Sequence, residues 1–127
     1  MAVGRQEKRD SIPLAPGLVQ LSEGDFHRRI AATSGVAAVL FTAPRCGACQ
    51  AWKRLLPDAL AGIANHLYEV DIAEATGVAR GYDIFHLPTI YLYRDGCFHA
   101  ELQCEARRDA VRTTALALLT ATPQEEP

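Results

Sequence analysis

Val36-Ala37-Ala38-Val39-Leu40-Phe41, then Thr42-Ala43-Pro44-Arg45, then Cys46-Gly47-Ala48-Cys49: the reading of this 127-residue chain turns on that stretch. The opening apolar run is what a strand covered on both faces requires. Pro44 breaks it, and a helical stretch follows from about Cys46 to Asn65. Trp52, Leu55, Leu56, Leu60 and Ile63 recur there at helical spacing, and Pro57 is expected to kink the helix. Cys46 therefore opens a helix that leaves a buried strand. Unpaired backbone N–H groups and the helix dipole favour a thiolate there and lower the cysteine pKa. Three positions are almost one helical turn, so Cys49 returns beneath Cys46, and Gly47 leaves the approach to Cys46 open to a partner chain. A dithiol so placed can close into a disulfide and open again.

The flanking sequence alternates in type. Leu18 to Leu21 reads as an edge strand. A helix then starts at Ser22 as N-cap, with Asp25 three residues on, an apolar stripe of Phe26, Ile30 and Ala31, and an end at Gly35. Leu67 to Ile72 is a strand and Ala73 to Gly81 a short helix. Thr89 to Arg94 and Cys97 to Gln103 are strands joined by Asp95-Gly96, a strong hairpin signal, and Arg107 to Thr120 is a last helix. The order β-α-β-α-β-α-β-β-α predicts an α/β fold, a central mixed sheet with helices on both faces and Val36 to Phe41 at its centre. Chemistry in such sheets sits beyond the strands' C-terminal ends, which is where Cys46 falls. The chain divides into a flexible N-terminal tail (1–16), one domain (17–121) and a C-terminal tail (122–127).

Composition narrows the function. Thirteen Lys plus Arg against fifteen Asp plus Glu give a net charge of -2, unlike the basic surplus of a nucleic-acid binder. No apolar run approaches the roughly 18 residues of a membrane span. Met1 to Asp10 is polar and no signal-like apolar stretch follows it, so the expected location is cytoplasmic. Four cysteines are too few for a disulfide-stapled miniprotein; in a reducing compartment they are chemical, metal-binding or simply buried.

With these residues in view, the chain resembles the thioredoxin family. Phe41-Thr42-Ala43-Pro44-Arg45-Cys46-Gly47-Ala48-Cys49 is similar to its active-site segment, Leu87-Pro88-Thr89 to its Ile-Pro-Thr loop, and Asp95-Gly96 to its last hairpin turn. The resemblance spans Leu18 to Ala121 and implies a thioredoxin fold, with Pro88 a cis proline facing the dithiol. It implies a thiol-disulfide oxidoreductase serving cell redox homeostasis: Cys46 attacks a partner's disulfide and Cys49 resolves the mixed disulfide. Substrates would be disulfide-containing proteins or small thiols, and electrons would come from a reductase or a thiol. No dissociable cofactor, nucleic acid or membrane is implied. Against the family pattern, the buried acid falls on Leu40 and its lysine, by the same register, on Leu67, so both charges are expected to be gone. Arg45 stands in place of a tryptophan and is expected to fold over the Cys46 sulfur. Ala48 replaces a proline, and Cys104 replaces a glycine flanking the dithiol.

Each remaining residue has a plainer reading. A metal site would need Cys97 and Cys104, or His86, beside the pair; Cys97 and Cys104 are seven apart on one expected strand and point to opposite faces. Cys97 reads as a small strand residue and Cys104 as a passive one. His86, two residues before Pro88, borders the site and reads as a solvated loop histidine. Trp52, Tyr91 and Tyr93 read as core, and Arg107 and Arg108 as solvated cations at a helix start. The rival to an enzyme is a non-catalytic binding or chaperone-like module, favoured by the missing acid and lysine.

Overall fold

The computed structural model describes residues 17–127; the expected N-terminal tail, 1–16, lies outside the described residues. Five strands form one sheet in the order β1-β3-β2-β4-β5: β1 (Val19–Gln20), β2 (Val36–Thr42), β3 (His66–Asp71), β4 (Thr89–Arg94) and β5 (Cys97–Glu101). Four helices join them: α1 (Phe26–Ala31), α2 (Gly47–Ala59), α3 (Thr76–Gly81) and α4 (Arg108–Thr120). β1 and β2 both run parallel to β3, whereas β4 runs antiparallel to β2 and to β5. The mixed sheet is as expected, with β2 at its centre.

The unbroken apolar run of β2 exists because both of its faces are covered. Ala37, Val39 and Phe41 join Phe26 and Ile30 of α1 and Val78 of α3 in one core layer. Ala38 and Leu40, on the other face, pack with Trp52 and Leu56 of α2 and Val111 and Ala115 of α4. Tyr91 and Tyr93 lie in the first layer and Trp52 in the second, all as core residues. Each fully buried Leu or Phe here contributes about 1.5–3 kcal/mol of apolar transfer.

Several boundaries differ from expectation for local reasons. The first helix begins at Phe26, because Ser22 donates to the Asp25 carboxylate (2.9 Å) within a turn that precedes it. The helix expected to reach Asn65 ends at Ala59; Gly62, at φ +78°, turns the chain back toward β3. The hairpin between β4 and β5 places both Asp95 (φ 51°) and Gly96 (φ 85°) in the left-handed region that such tight turns need. A Cβ on Gly96 would stand 2.8 Å from the Ala31 carbonyl oxygen, so the turn fits against α1 only with glycine. β5 ends at Glu101, which leaves Cys104 beyond the strand rather than on it.

Candidate active site

β2 delivers the chain at the C-terminal end of the sheet's centre, and α2 starts five residues later. Cys46 is the N-cap of α2, in extended conformation, and its sulfur accepts the Cys49 backbone N–H at 3.1 Å. A helix N-terminus directing an amide at a sulfur favours the thiolate. Cys46 and Cys49 are joined in a disulfide, with Cα atoms 5.2 Å apart. Exposure separates them: Cys46 is half-buried, while Cys49 is 0% exposed. Only Cys46 can be met first by a large partner.

Phe41 near the end of β2 pairs with Thr89 at the start of β4, so the segment 86–89 lies at the same end of the sheet as the cysteine pair. Arg45 is exposed and adopts φ +66°, so the chain turns sharply just before Cys46. Gly47 and Ala48 are exposed, and a Cβ at Gly47 would meet nothing within 4 Å. Gly47 is therefore not required by the fold, and the open space above it is available to a partner. The Leu87–Pro88 peptide bond is cis. Leu87 and Pro88 are half-buried, and the buried Thr89 hydroxyl donates to the His86 carbonyl at 2.7 Å and lies 3.3 Å from His86 Nδ1. His86 itself is exposed, and Phe85 beside it is 82% exposed. Phe85 has no special reading in the sequence, where the available signal is a phenylalanine in a loop three residues before Pro88.

Cys104 turns toward the interior. It packs against the apolar layer beneath α2 and α4, and burial pushes its thiol up, partly offset by a hydrogen bond with Thr114 of α4. Cys97 is exposed at the start of β5. Arg107 pairs with Glu105 and Asp109, and Arg108 with Asp58, all at exposed positions. Among the described residues no group of three or more His, Cys, Asp or Glu side chains is placed to hold a metal ion.

The expected loss of buried charge is corrected by the structure. Leu40 and Leu67 are apolar as read, but Leu40 pairs across β2 and β3 with Glu69, which is 8% exposed. One Glu69 oxygen lies 3.1 Å from the Lys53 ammonium, and the other accepts the Thr42 hydroxyl at 3.0 Å. Lys53 is four residues after Cys49 on α2, hence on the same helix face one turn away. An acid–lysine pair is thus present: the acid stands on β3 and the lysine on α2. The signal was a glutamate inside the apolar run Leu67-Tyr68-Glu69-Val70, in phase with Leu67 and so on the α2 side of the sheet.

The mixed sheet carries a disulfide at the N-terminus of the helix that follows its central strand, and a cis Leu87–Pro88 bond precedes β4. The thioredoxin family model matches residues 17–117, and the chain belongs to that family. Protein disulfide-isomerase A3 of Gallus gallus is 35% identical over 88 residues, covering 65% of this chain and 17% of that protein. Thioredoxin of Staphylococcus aureus is 27% identical over 81 residues, covering 62% of this chain and 76% of that one. The human ERp44 zinc-bound form superposes with a TM-score of 0.65 at 21% identity, over 83% of this chain and 30% of its own; that likeness concerns the fold. The chain thus spans less than a fifth of the disulfide-isomerase relative. Among the described residues no helix is long and apolar enough to cross a membrane.

Proposed function

We propose that this protein reduces disulfides of partner proteins or small molecules through the Cys46–Cys49 dithiol. The carrying observation is the asymmetry of the pair: an accessible sulfur at a helix N-cap and a fully buried one a turn below. The Cys46 thiolate attacks one sulfur of the partner's disulfide, and the other leaves as a thiolate and takes a proton from water. Cys49 then loses its proton, attacks Cys46 Sγ, and displaces the partner's second thiolate, so the partner gains two electrons and the dithiol becomes a disulfide. We assign Glu69 as the acceptor of the Cys49 proton, since its ion-pair partner shares a helix face with Cys49. A reductase or thiol returns the electrons, and the cycle uses no dissociable cofactor. The exposed, unpaired Cys97 suits a reducing compartment such as the cytoplasm.

The non-catalytic module rested on absent buried charges, and Glu69 with Lys53 removes that support. Insulin reduction by the wild type, Cys46→Ser and Glu69→Gln tests the proposal. The expected result is activity in the wild type and none in Cys46→Ser. Glu69→Gln should be slow near neutral pH, recovering as pH rises toward an ordinary thiol pKa of about 8.5. Activity absent from the wild type with every reductant would support the binding module, and a Glu69→Gln profile parallel to the wild type would remove Glu69 from the proton path.

A further inference from the structure

Charge around the dithiol is lopsided. From Thr42 to Pro57 the chain carries Arg45, Lys53 and Arg54 and no acidic residue. α2 opens without an Asp or Glu in its first turn, where unpaired N–H groups favour negative charge. The β3 acids at this end of the sheet are engaged. Glu69 is held by the Lys53 ammonium and the Thr42 hydroxyl, and an Asp71 oxygen accepts the Ala73 N–H at 2.8 Å. Glu74 and Asp83 are exposed, but they flank α3, whose Val78 packs on the opposite face of the sheet from α2. The segment from Ile84 to Thr89, at the same end of the sheet as the dithiol, contains no acid either.

Arg45 brings this positive charge next to the reacting sulfur. It is exposed, and its φ of +66° is a region that residues with a Cβ rarely adopt. Backbone strain of this kind persists beside reacting groups, where it fixes how a side chain is presented. Neighbouring Cα atoms are about 3.8 Å apart, so in any rotamer the guanidinium stays within roughly 10 Å of the Cys46 Cα. That is about one Debye length at physiological salt. Among the described residues no carboxylate is paired with Arg45.

We propose that Arg45 selects the partner, and that the site takes disulfides carrying a carboxylate within a few bonds of the attacked sulfur. The proposal rests on the reductase reading of the dithiol and names the partner's chemistry. Arg45 pairs with that carboxylate in the encounter and leaves bond-making to the cysteines. Cys46 Sγ bonds to one sulfur of the partner; the other leaves as a thiolate and takes a proton from water, and the carboxylate is unchanged. A small thiol acid and an acidic residue beside a protein cysteine both present this chemistry.

Three small disulfides of similar size vary the charge: anionic dithiodipropionate, neutral hydroxyethyl disulfide and cationic cystamine. Pre-reduced wild type, Arg45→Gln and Arg45→Lys are mixed with each in low salt near neutral pH, and the second-order rate of protein oxidation is read by acid quench and intact mass. A Cys46 thiolate made scarcer by loss of Arg45 slows all three alike, so the ratios within each protein isolate the charge of the disulfide. Arg45→Gln should lose about threefold on dithiodipropionate relative to hydroxyethyl disulfide, the size of one partly solvated charge pair. It should gain on cystamine by the same comparison. Arg45→Lys should restore the wild-type ratios, and high salt should level them in every protein. Peptide disulfides with Asp or Lys beside the cysteine separate the two sources. An Asp preference that Arg45→Gln abolishes supports an acidic protein segment, and a preference confined to dithiodipropionate supports a small thiol acid. Slowing of all three small disulfides by one factor in Arg45→Gln would overturn the selection and leave the reductase reading intact. A wild type inert toward all three and toward insulin would overturn both.

Discussion

Removing either half of the Glu69–Lys53 pair should cost unequal amounts. At 3.1 Å, with an effective dielectric near 20, the gross attraction is about 5 kcal/mol, most of it cancelled by desolvation. The partners differ in access to water: the Lys53 side chain is 41% exposed and that of Glu69 only 11%. Lys53→Met leaves a carboxylate that cannot rehydrate, held by the Thr42 hydroxyl alone, and should cost about 3 kcal/mol. Glu69→Gln leaves an ammonium that can swing into solvent, and glutamine keeps an acceptor for Thr42; about 1 kcal/mol is expected. The double variant Glu69→Leu/Lys53→Met buries no charge and should be less damaged than Lys53→Met alone. Urea unfolding of the oxidised proteins at neutral pH gives all three values. Lys53→Met costing no more than Glu69→Gln, or single effects that simply add, would refute the claim of a desolvated, mutually dependent pair.

Gly47→Ala should leave the fold intact or stabilise it by up to about 0.5–1 kcal/mol, because nothing occupies the Cβ position; it should slow insulin reduction several-fold while barely changing reaction with a small disulfide, and equal slowing of both would contradict the partner-approach role. Burial pushes Tyr91 up to about 12 and raises Tyr82 and Tyr93 as well. The folded state therefore holds protons that the unfolded chain releases above about pH 10, so stability is full below that value and falls as pH rises toward about 12; urea midpoints flat across that window would contradict it. In the oxidised protein, iodoacetamide near neutral pH should modify exposed Cys97 about tenfold faster than Cys104, whose thiol burial has raised. Equal rates by peptide mapping would place Cys104 at the surface.

The fold was legible where one residue type dictates one geometry. The six-residue apolar run from Val36 to Phe41 required a strand covered twice, and Asp95-Gly96 required a hairpin. The dithiol was legible for the same reason, since a cysteine opening a helix after a buried strand has few structural uses. Glu69 was not legible because the family register falls on Leu67, two residues away on the same face, and ion pairing across three elements has no local pattern. The helix end at Ala59 was missed because the apolar spacing of Leu60 and Ile63 continues past the point where Gly62 turns the backbone. The fastening of Gln124 to β5, where the His99 carbonyl accepts its N–H, depends on where α4 ends in space, which a polar six-residue terminus does not announce.

The division of labour between the two cysteines is tested most directly by trapping. Cys46→Ser and Cys49→Ser, each reduced and mixed with a protein disulfide near neutral pH, are quenched with acid and read by intact mass. Cys49→Ser keeps the accessible attacking sulfur and lacks the resolving one, so it should accumulate a stable mixed disulfide through Cys46, while Cys46→Ser, with its remaining site thiol fully buried, should accumulate none. A mixed disulfide through Cys49 in Cys46→Ser, with none in Cys49→Ser, would contradict the assignment.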